Sequence, residues 1–160
     1  MKGLLSRLIV VVNGSESSIA AAKYAICLKR ELGSEVTAVY VVDTATIRQL
    51  LLSRIFVPEE SVDYERSLES TGKRYLGFID ELAKAKRAHI SSELRKGSIA
   101  GEVVRLAEEL RADCIVVGGW ERDSAFKDVI QEAYREIAKN APCSVLVVRK
   151  EDAERLYSAL

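Results

Sequence analysis

The segment Val116–Val148, VVGGWERDSAFKDVIQEAYREIAKNAPCSVLVV, decides the fold. It starts with an apolar run that ends at Gly118-Gly119, continues with helical spacing, and returns to an apolar run after a proline. Strand, helix and strand in this order predict a crossover between parallel strands. The two glycines would suit a phosphate at the helix N-terminus, but Glu121 and Asp123 bring carboxylates into that loop.

The same alternation begins near the N-terminus. Leu8–Val12, LIVVV, is continuously apolar, which is typical of a parallel strand buried on both faces. Ser15 or Ser17 is a predicted N-cap for the helix that follows, and Gly33 is its predicted stop. The second strand is predicted at Val36–Asp43, VTAVYVVD.

The middle of the chain is less regular. Residues 44–62 predict either a short helix or a flexible flap, and a long helix is predicted from about Val62 to Arg87. His89–Gly97 is a more polar strand that we expect near an edge of the sheet. We expect a single domain over residues 1–150 and a C-terminal tail, 151–160, able to form a short helix.

The remaining elements are clearer. A helix is predicted in SIAGEVVRLAEELRA, a strand in DCIVVGG, a helix marked by Phe126, Ile130, Ala133 and Ile137, and a strand in CSVLVVR. Five strands separated by helices predict an α/β fold with a parallel sheet. Among folds of this class, the dinucleotide-binding and flavodoxin-like folds are the main options. Ligands bind such sheets at the strand C-termini, so Asn13–Ser18 and Gly118–Ser124 are the loops of interest.

Composition excludes several classes of function. The 160 residues fit one domain, and 48% of them are hydrophobic. The 24 basic and 24 acidic residues cancel, which argues against nucleic-acid or membrane-surface partners. No apolar run of about 18 residues predicts a membrane span. Cys27, Cys114 and Cys143 lie in apolar segments, so we expect reduced core thiols and a cytoplasmic location; the lone His89 is expected to be structural.

Three segments together resemble the universal stress protein family. They are LIVVVNGSESSIAAAKYA, GSIAGEVVRLAEELRADCIVVGG and EIAKNAPCSVLVVRK, and they occur in the family's order over nearly the whole chain. The resemblance implies a five-stranded parallel sheet in the order 3-2-1-4-5 with helices on both faces, the Rossmann-like fold of the adenine-nucleotide alpha-hydrolases. It also implies that strands one and four flank the ligand crevice.

In the ATP-binding members of the family that this chain resembles, the residues after the fourth strand follow a pattern: Gly-x-x-Gly, then nine residues, then Gly-Ser/Thr. Here the first glycine is Gly118, but the later positions hold Glu121, Gln131 and Glu132. Glycines let backbone N–H groups approach phosphates, and the hydroxyl adds another donor, so these replacements disfavour a polyphosphate. Asn13 stands where ATP binders usually carry aspartate.

The resemblance leaves two functions open. The first is a dimeric, non-catalytic stress-response module with no cofactor, in which ATP is not bound in the family manner. The alternative is a sensor that binds AMP or ATP in the crevice, with Asn13, Val41, Gly118 and Gly119 as nucleotide contacts. A nucleotide-hydrolysing enzyme is a third hypothesis, but the sequence shows no dinucleotide fingerprint, P-loop or nucleophile elbow and no catalytic residue is assigned. Trp120 either stacks on a base or packs over a loop.

The last strand predicts a partner. Within residues 143–149 the stretch VLVV is apolar and no charge precedes Arg149, and in the order 3-2-1-4-5 this strand lies at an edge. A long apolar edge invites pairing because its backbone groups are unpaired. Pairing with the same strand of a second copy predicts a homodimer, as the family resemblance also implies.

Overall fold

The computed structural model describes residues 3–119 and 127–160, with side chains from residue 130 onward in the second range. Within these ranges strands alternate with helices, except that two helices follow the second strand. The elements are β1 (Arg7–Val12), α1 (Glu16–Leu32), β2 (Glu35–Asp43), α2 (Thr44–Leu52), α3 (Pro58–Ala85), β3 (Ser91–Gly97), α4 (Ile99–Leu110), β4 (Cys114–Gly118), α5 (Lys127–Asn140), β5 (Ser144–Val148) and α6 (Lys150–Ala159).

The strands form one parallel sheet in the order β3-β2-β1-β4-β5. The central strand β1 pairs with β2 on one side and β4 on the other, and Leu8–Val12 is buried throughout. The chain therefore winds outward in two directions from β1. The predicted parallel α/β sheet and its strand order are confirmed.

Alternate residues of β1 enter two separate cores. Leu8, Val10 and Val12 face α1, α3 and α6, whereas Ile9 and Val11 face α4 and α5. Because side chains alternate along a strand, one continuous apolar run supplies both cores. The prediction of helices on both faces of the sheet is confirmed.

The segment that follows β2 is more helical than its sequence pattern suggests. The short helix α2 begins at Thr44, where the Asp43 side chain accepts hydrogen bonds from the Thr46 N–H (3.1 Å) and hydroxyl (2.6 Å). Of the two predicted forms, the helix is therefore the observed one for the first half of this segment. Leu52, the last residue of α2, is 78% exposed, and Ile55, three residues later, is 65% exposed.

The predicted start of the long helix near Val62 is wrong, because α3 begins four residues earlier, at Pro58. The fixed φ of proline suits the first helical position, where its missing N–H would have no partner. The predicted end at Arg87 is also too late. Arg87 adopts φ 56°, and the N–H of Ala88 bonds the carbonyl of Ala83 at 2.9 Å, which is a Schellman ending after Ala85.

The strand β3 lies at the edge of the sheet, as predicted, but begins at Ser91 rather than His89, which is exposed. Two neighbouring basic side chains connect β3 to helices on opposite faces of the sheet. Arg95 makes two hydrogen bonds of 3.0 and 3.1 Å to Glu109 of α4, and Lys96 lies 3.1 Å from Glu69 of α3. Charged pairs on both faces give β3 the polar character that blurred its sequence signal.

The C-terminal segment forms the predicted short helix, α6, and it packs on α1 and α3. Ala153 is fully buried, and Lys23 of α1 makes an ion pair of 2.9 Å with Glu154. The Tyr157 hydroxyl donates a 2.8 Å hydrogen bond to the Leu82 carbonyl, and burial raises the pKa of this phenol. The helix therefore contributes to the core on this face of the sheet.

The three cysteines are free thiols within the described ranges. Cys27 and Cys114 are buried and Cys143 is half-buried. Burial raises the pKa of all three thiols, so they stay protonated and weakly nucleophilic near neutral pH. This agrees with their expected role as small core residues. Among the described helices, none is long and apolar enough to cross a membrane.

Candidate functional site

The carboxyl ends of β1, β2 and β4 meet the first turns of α1 and α4 at one edge of the sheet. The chain leaves β1 toward β2 on one side, and β4 lies on the other. Open α/β sheets bind ligands where the strand order reverses in this way. The candidate site therefore lies around the loop that follows β1 and around Gly118 and Gly119, the described residues at the end of β4.

The loop after β1 is fastened by its own hydrogen bonds. Asn13 Oδ1 accepts from the Ser15 N–H at 2.9 Å, and Ser15 Oγ caps α1 by accepting from the Ser18 N–H at 3.1 Å. Of the two predicted caps, Ser15 is the one observed. Gly14 has φ 84°, and a Cβ there would lie 2.5 Å from the Tyr75 ring, so the glycine is needed for both backbone and packing.

The other end of the Asn13 amide binds a tyrosine from α5. Because Oδ1 already accepts from a backbone N–H, Nδ2 is the group that meets the Tyr134 hydroxyl, to which it donates at 3.1 Å. The Tyr134 side chain is only 6% exposed and packs with Ile9, Val11 and Val41. Residues 121 positions apart in sequence thus close the crevice together.

Among the described residues, the part of the crevice beside Tyr134 holds only a small cavity. Its cavity of about 20 Å³ is lined by residues at the ends of β1 and β2 and on α4 and α5: Val11, Val12, Asn13, Val41, Ile99, Ile130, Ala133 and Tyr134. That volume holds about one water molecule, whereas small-molecule pockets run to roughly 300–1,000 Å³. Asn13 and Val41, two of the predicted nucleotide contacts, line this cavity.

The other two predicted contacts, Gly118 and Gly119, have close protein neighbours. A Cβ on Gly118 would lie 2.5 Å from the backbone carbon and oxygen of Ser17, and one on Gly119 would lie 3.2 Å from the Val148 carbonyl oxygen. Gly118 thus lets β4 approach the first turn of α1. Packing between elements accounts for this glycine whether or not a ligand binds.

The positions aligned with the third glycine and the hydroxyl lie inside a helix. Gln131 and Glu132 are the fifth and sixth residues of α5. Only the first four N–H groups of a helix lack an intrahelical partner, so neither residue offers a free backbone donor to a phosphate. Glu121, at the second glycine position, and Trp120 lie outside the described residues.

A wider groove adjoins the closed cavity and shares Ile99 and Ala133 with it. The groove has a volume of about 440 Å³ and is lined by the starts of α2 and α4 and by one side of α5. Its described lining includes the carboxylates of Asp43, Glu132 and Glu136 and no basic side chain. These charges disfavour a polyphosphate. No group of three or more histidine, cysteine, aspartate or glutamate residues in the described part of the chain could hold a metal ion.

Sequence reasoning missed Tyr134. The predicted stripe of this helix was Phe126, Ile130, Ala133 and Ile137; Phe126 lies outside the described residues, and only Ile137 is fully buried among the other three. Tyr134 follows Ile130 by four residues and precedes Ile137 by three, so the spacing alone would have admitted it.

Comparisons with known proteins agree with this fold. The family model described as the universal stress protein family matches residues 5–149. Universal stress protein MJ0531 of Methanocaldococcus jannaschii is 30% identical over 96% of this chain and 87% of its own length. Universal stress protein YxiE of Bacillus subtilis is 25% identical over 91% of this chain and all of its own length.

Solved structures of several universal stress proteins share the fold. UspA from Lactobacillus plantarum superposes with a TM-score of 0.73 at 20% identity, covering 92% of this chain and 99% of its own. A universal stress protein in complex with cAMP has a TM-score of 0.57 at 21% identity, covering 91% and 97%. An Arabidopsis thaliana family protein with AMP bound has a TM-score of 0.63 at 16% identity, covering 89% and 90%. From the family model and the relative at 30% identity, the chain belongs to the universal stress protein family.

Proposed function

We propose that this universal stress protein is a non-catalytic, cytoplasmic regulatory module that acts as a homodimer and does not bind ATP in the family manner. The observation that carries the ATP part is the contact between Tyr134 and Asn13, beside which the described residues leave a cavity of about 20 Å³. An adenine ring does not fit in a space for one water molecule. We expect no resident cofactor.

Electrostatics support the same proposal. A carboxylate about 5 Å from a phosphate charge costs about 3 kcal/mol at an effective dielectric constant of 20. Glu132 and Glu136 both line the groove that adjoins the cavity beside Tyr134. Since each phosphate group adds a charge, we expect the penalty to grow from adenosine to AMP to ATP.

Isothermal titration tests this proposal. We expect wild-type protein to give no binding heat with ATP at millimolar concentration, with or without Mg²⁺, which corresponds to a binding free energy weaker than about −4 kcal/mol. Mass spectrometry of the denatured protein, purified without added nucleotide, is expected to show no co-purified nucleotide. Stoichiometric ATP binding at micromolar concentration would contradict the proposal.

A second candidate function is an adenine-nucleotide sensor. It is favoured by the structural neighbours that contain cAMP or AMP. In this alternative Asn13, Val41, Gly118 and Gly119 contact the nucleotide, and the crevice opens when the ligand enters. AMP binding without ATP binding in the same titrations would favour this alternative.

The edge strand β5 supports the homodimer. It pairs with β4 on one side only, and Val147 is 54% exposed on it. The helix α6 packs on α1 and α3, on one face of the sheet. An apolar edge of this kind is normally paired or blocked by charge, and a two-fold axis along β5 would pair it with itself.

Replacing Val147 with glutamate tests the dimer. We expect wild type to have twice the chain mass of 17.7 kDa in light scattering at micromolar concentration. Val147→Glu places like charges close to the two-fold axis, so we expect a monomer. Phe78→Glu, at an exposed apolar residue of α3, which packs on β2 and β3 at the other end of the strand order, is the matched control and should remain a dimer. A monomeric wild type would refute the dimer.

A further inference from the structure

We propose that Tyr134 takes the place of a ligand's aromatic base, and that shortening this side chain converts the crevice into a site for a neutral nucleoside. The inference deepens the proposed function and rests on it, because it requires a wild-type crevice that is closed. It assigns the closure to one residue of α5. Three observations on Tyr134 and the groove beside it support the proposal.

The first is the form of the contact. Tyr134 inserts a planar ring that is 6% exposed into a site at the carboxyl ends of β1 and β2. Apolar residues of both strands pack with the ring, and the Asn13 amide binds its polar end at 3.1 Å. An apolar slot with one hydrogen-bonding group at its end suits a heteroaromatic ring as well as a phenol. The Tyr134 side chain therefore makes the apolar contacts and the hydrogen bond to Asn13 that a bound base would otherwise make.

The second is the space that truncation releases. Removing a large buried side chain leaves a cavity on the order of 100 Å³, and engineered cavities of that scale bind benzene-sized rings. The cavity beside Tyr134 already shares Ile99 and Ala133 with the groove of about 440 Å³. Truncation would join the two spaces, with room for a ring in the crevice and a sugar in the groove.

The third is the charge of the groove, which selects the ligand class. Asp43, Glu132 and Glu136 line it, and its described lining contains no basic side chain to balance them. Asp43 is engaged in capping α2, but its charge still faces an entering anion. A neutral nucleoside avoids the repulsion that each phosphate would add. The opened site should therefore prefer adenosine to AMP and AMP to ATP.

The experiment titrates adenosine, AMP and ATP into wild type, Tyr134→Ala and Tyr134→Phe by calorimetry, with thermal shift as a second readout. We expect Tyr134→Ala to bind adenosine at least tenfold more tightly than wild type and to rank the ligands adenosine, AMP, ATP. Tyr134→Phe keeps the ring and should behave as wild type. Tyr157→Ala removes a tyrosine from the opposite face of the sheet and controls for general loosening, so it should gain no binding.

Should Tyr134→Ala fail to fold, Tyr134→Val keeps some apolar packing and still removes the ring, and it carries the same expectation. The inference is overturned if the folded variant gains no adenosine affinity, if Tyr134→Phe gains as much, or if Tyr157→Ala gains as much. It is also overturned if ATP outranks adenosine in the opened site. Tight ATP binding by wild type would instead count against the proposed function itself, so the two failures are distinguishable.

Discussion

Gly118→Ala is expected to lower the free energy of unfolding by about 3 kcal/mol, at the upper end of the cost of overpacking a core. The added methyl group would lie 2.5 Å from the backbone carbon and oxygen of Ser17, where no side-chain rotation can relieve the clash. For a chain of this length the loss corresponds to a fall in melting temperature of about 6–12 °C. Chemical denaturation and calorimetry of the variant measure both quantities.

Two other glycines calibrate this result. Gly119→Ala brings a Cβ to 3.2 Å from the Val148 carbonyl, so we expect a smaller loss. Gly77→Ala lies within α3 with no atom within 4 Å of the new Cβ, and alanine favours helix over glycine by about 1 kcal/mol, so we expect a gain. A Gly118→Ala variant as stable as wild type would show that β4 and α1 do not pack as closely as described.

Deletion of residues 150–160 is expected to have the largest effect on stability, about 4 kcal/mol. The loss combines the burial of Tyr157 and Ala153 against α1 and α3 with the hydrogen bond from Tyr157 to the Leu82 carbonyl. It also removes the ion pair between Lys23 and Glu154. Denaturant unfolding of the shortened chain, compared with the full one, gives the difference.

Point variants separate the contributions of this helix. Tyr157→Phe loses only the hydrogen bond and should cost about 1 kcal/mol, while Arg155→Ala, at an exposed position, should be nearly neutral. The deletion also tests the expected domain boundary at residue 150. If residues 1–149 alone unfold with the stability of the full chain, the segment is a tail and the packing of α6 contributes nothing.

Much of the fold could be predicted from local sequence because the decisive signals are local. The apolar run of β1 is long enough to indicate burial on both faces, and Ser15 and Gly33 mark the start and end of α1 by known capping chemistry. The start of α3 was harder to predict, because Pro58 both ends a loop and begins a helix. The polar residues of β3 obscured its start, because its charged side chains pair with carboxylates on two neighbouring helices.

The site was less predictable than the fold. The comparison of glycine positions indicated a weakened phosphate loop, and the helix predicted from Phe126 to Ile137 already contained Gln131 and Glu132, as α5 does. The closure of the crevice depends on Asn13 and Tyr134, which only the folded sheet brings together. A pattern search within one helix cannot recognise a contact with a residue 121 positions away.

The two rims of the sheet differ in a way that bears on how large an assembly can become. One rim is β3, whose Arg95 and Lys96 pair with carboxylates on opposite faces of the sheet, and the other is the aliphatic strand β5, on which Val147 is exposed. If two copies join through their aliphatic rims, each end of the resulting ten-stranded sheet is a charged strand that resists further addition. Growth would then stop at a pair, so concentrated solutions should contain finite particles and no fibres.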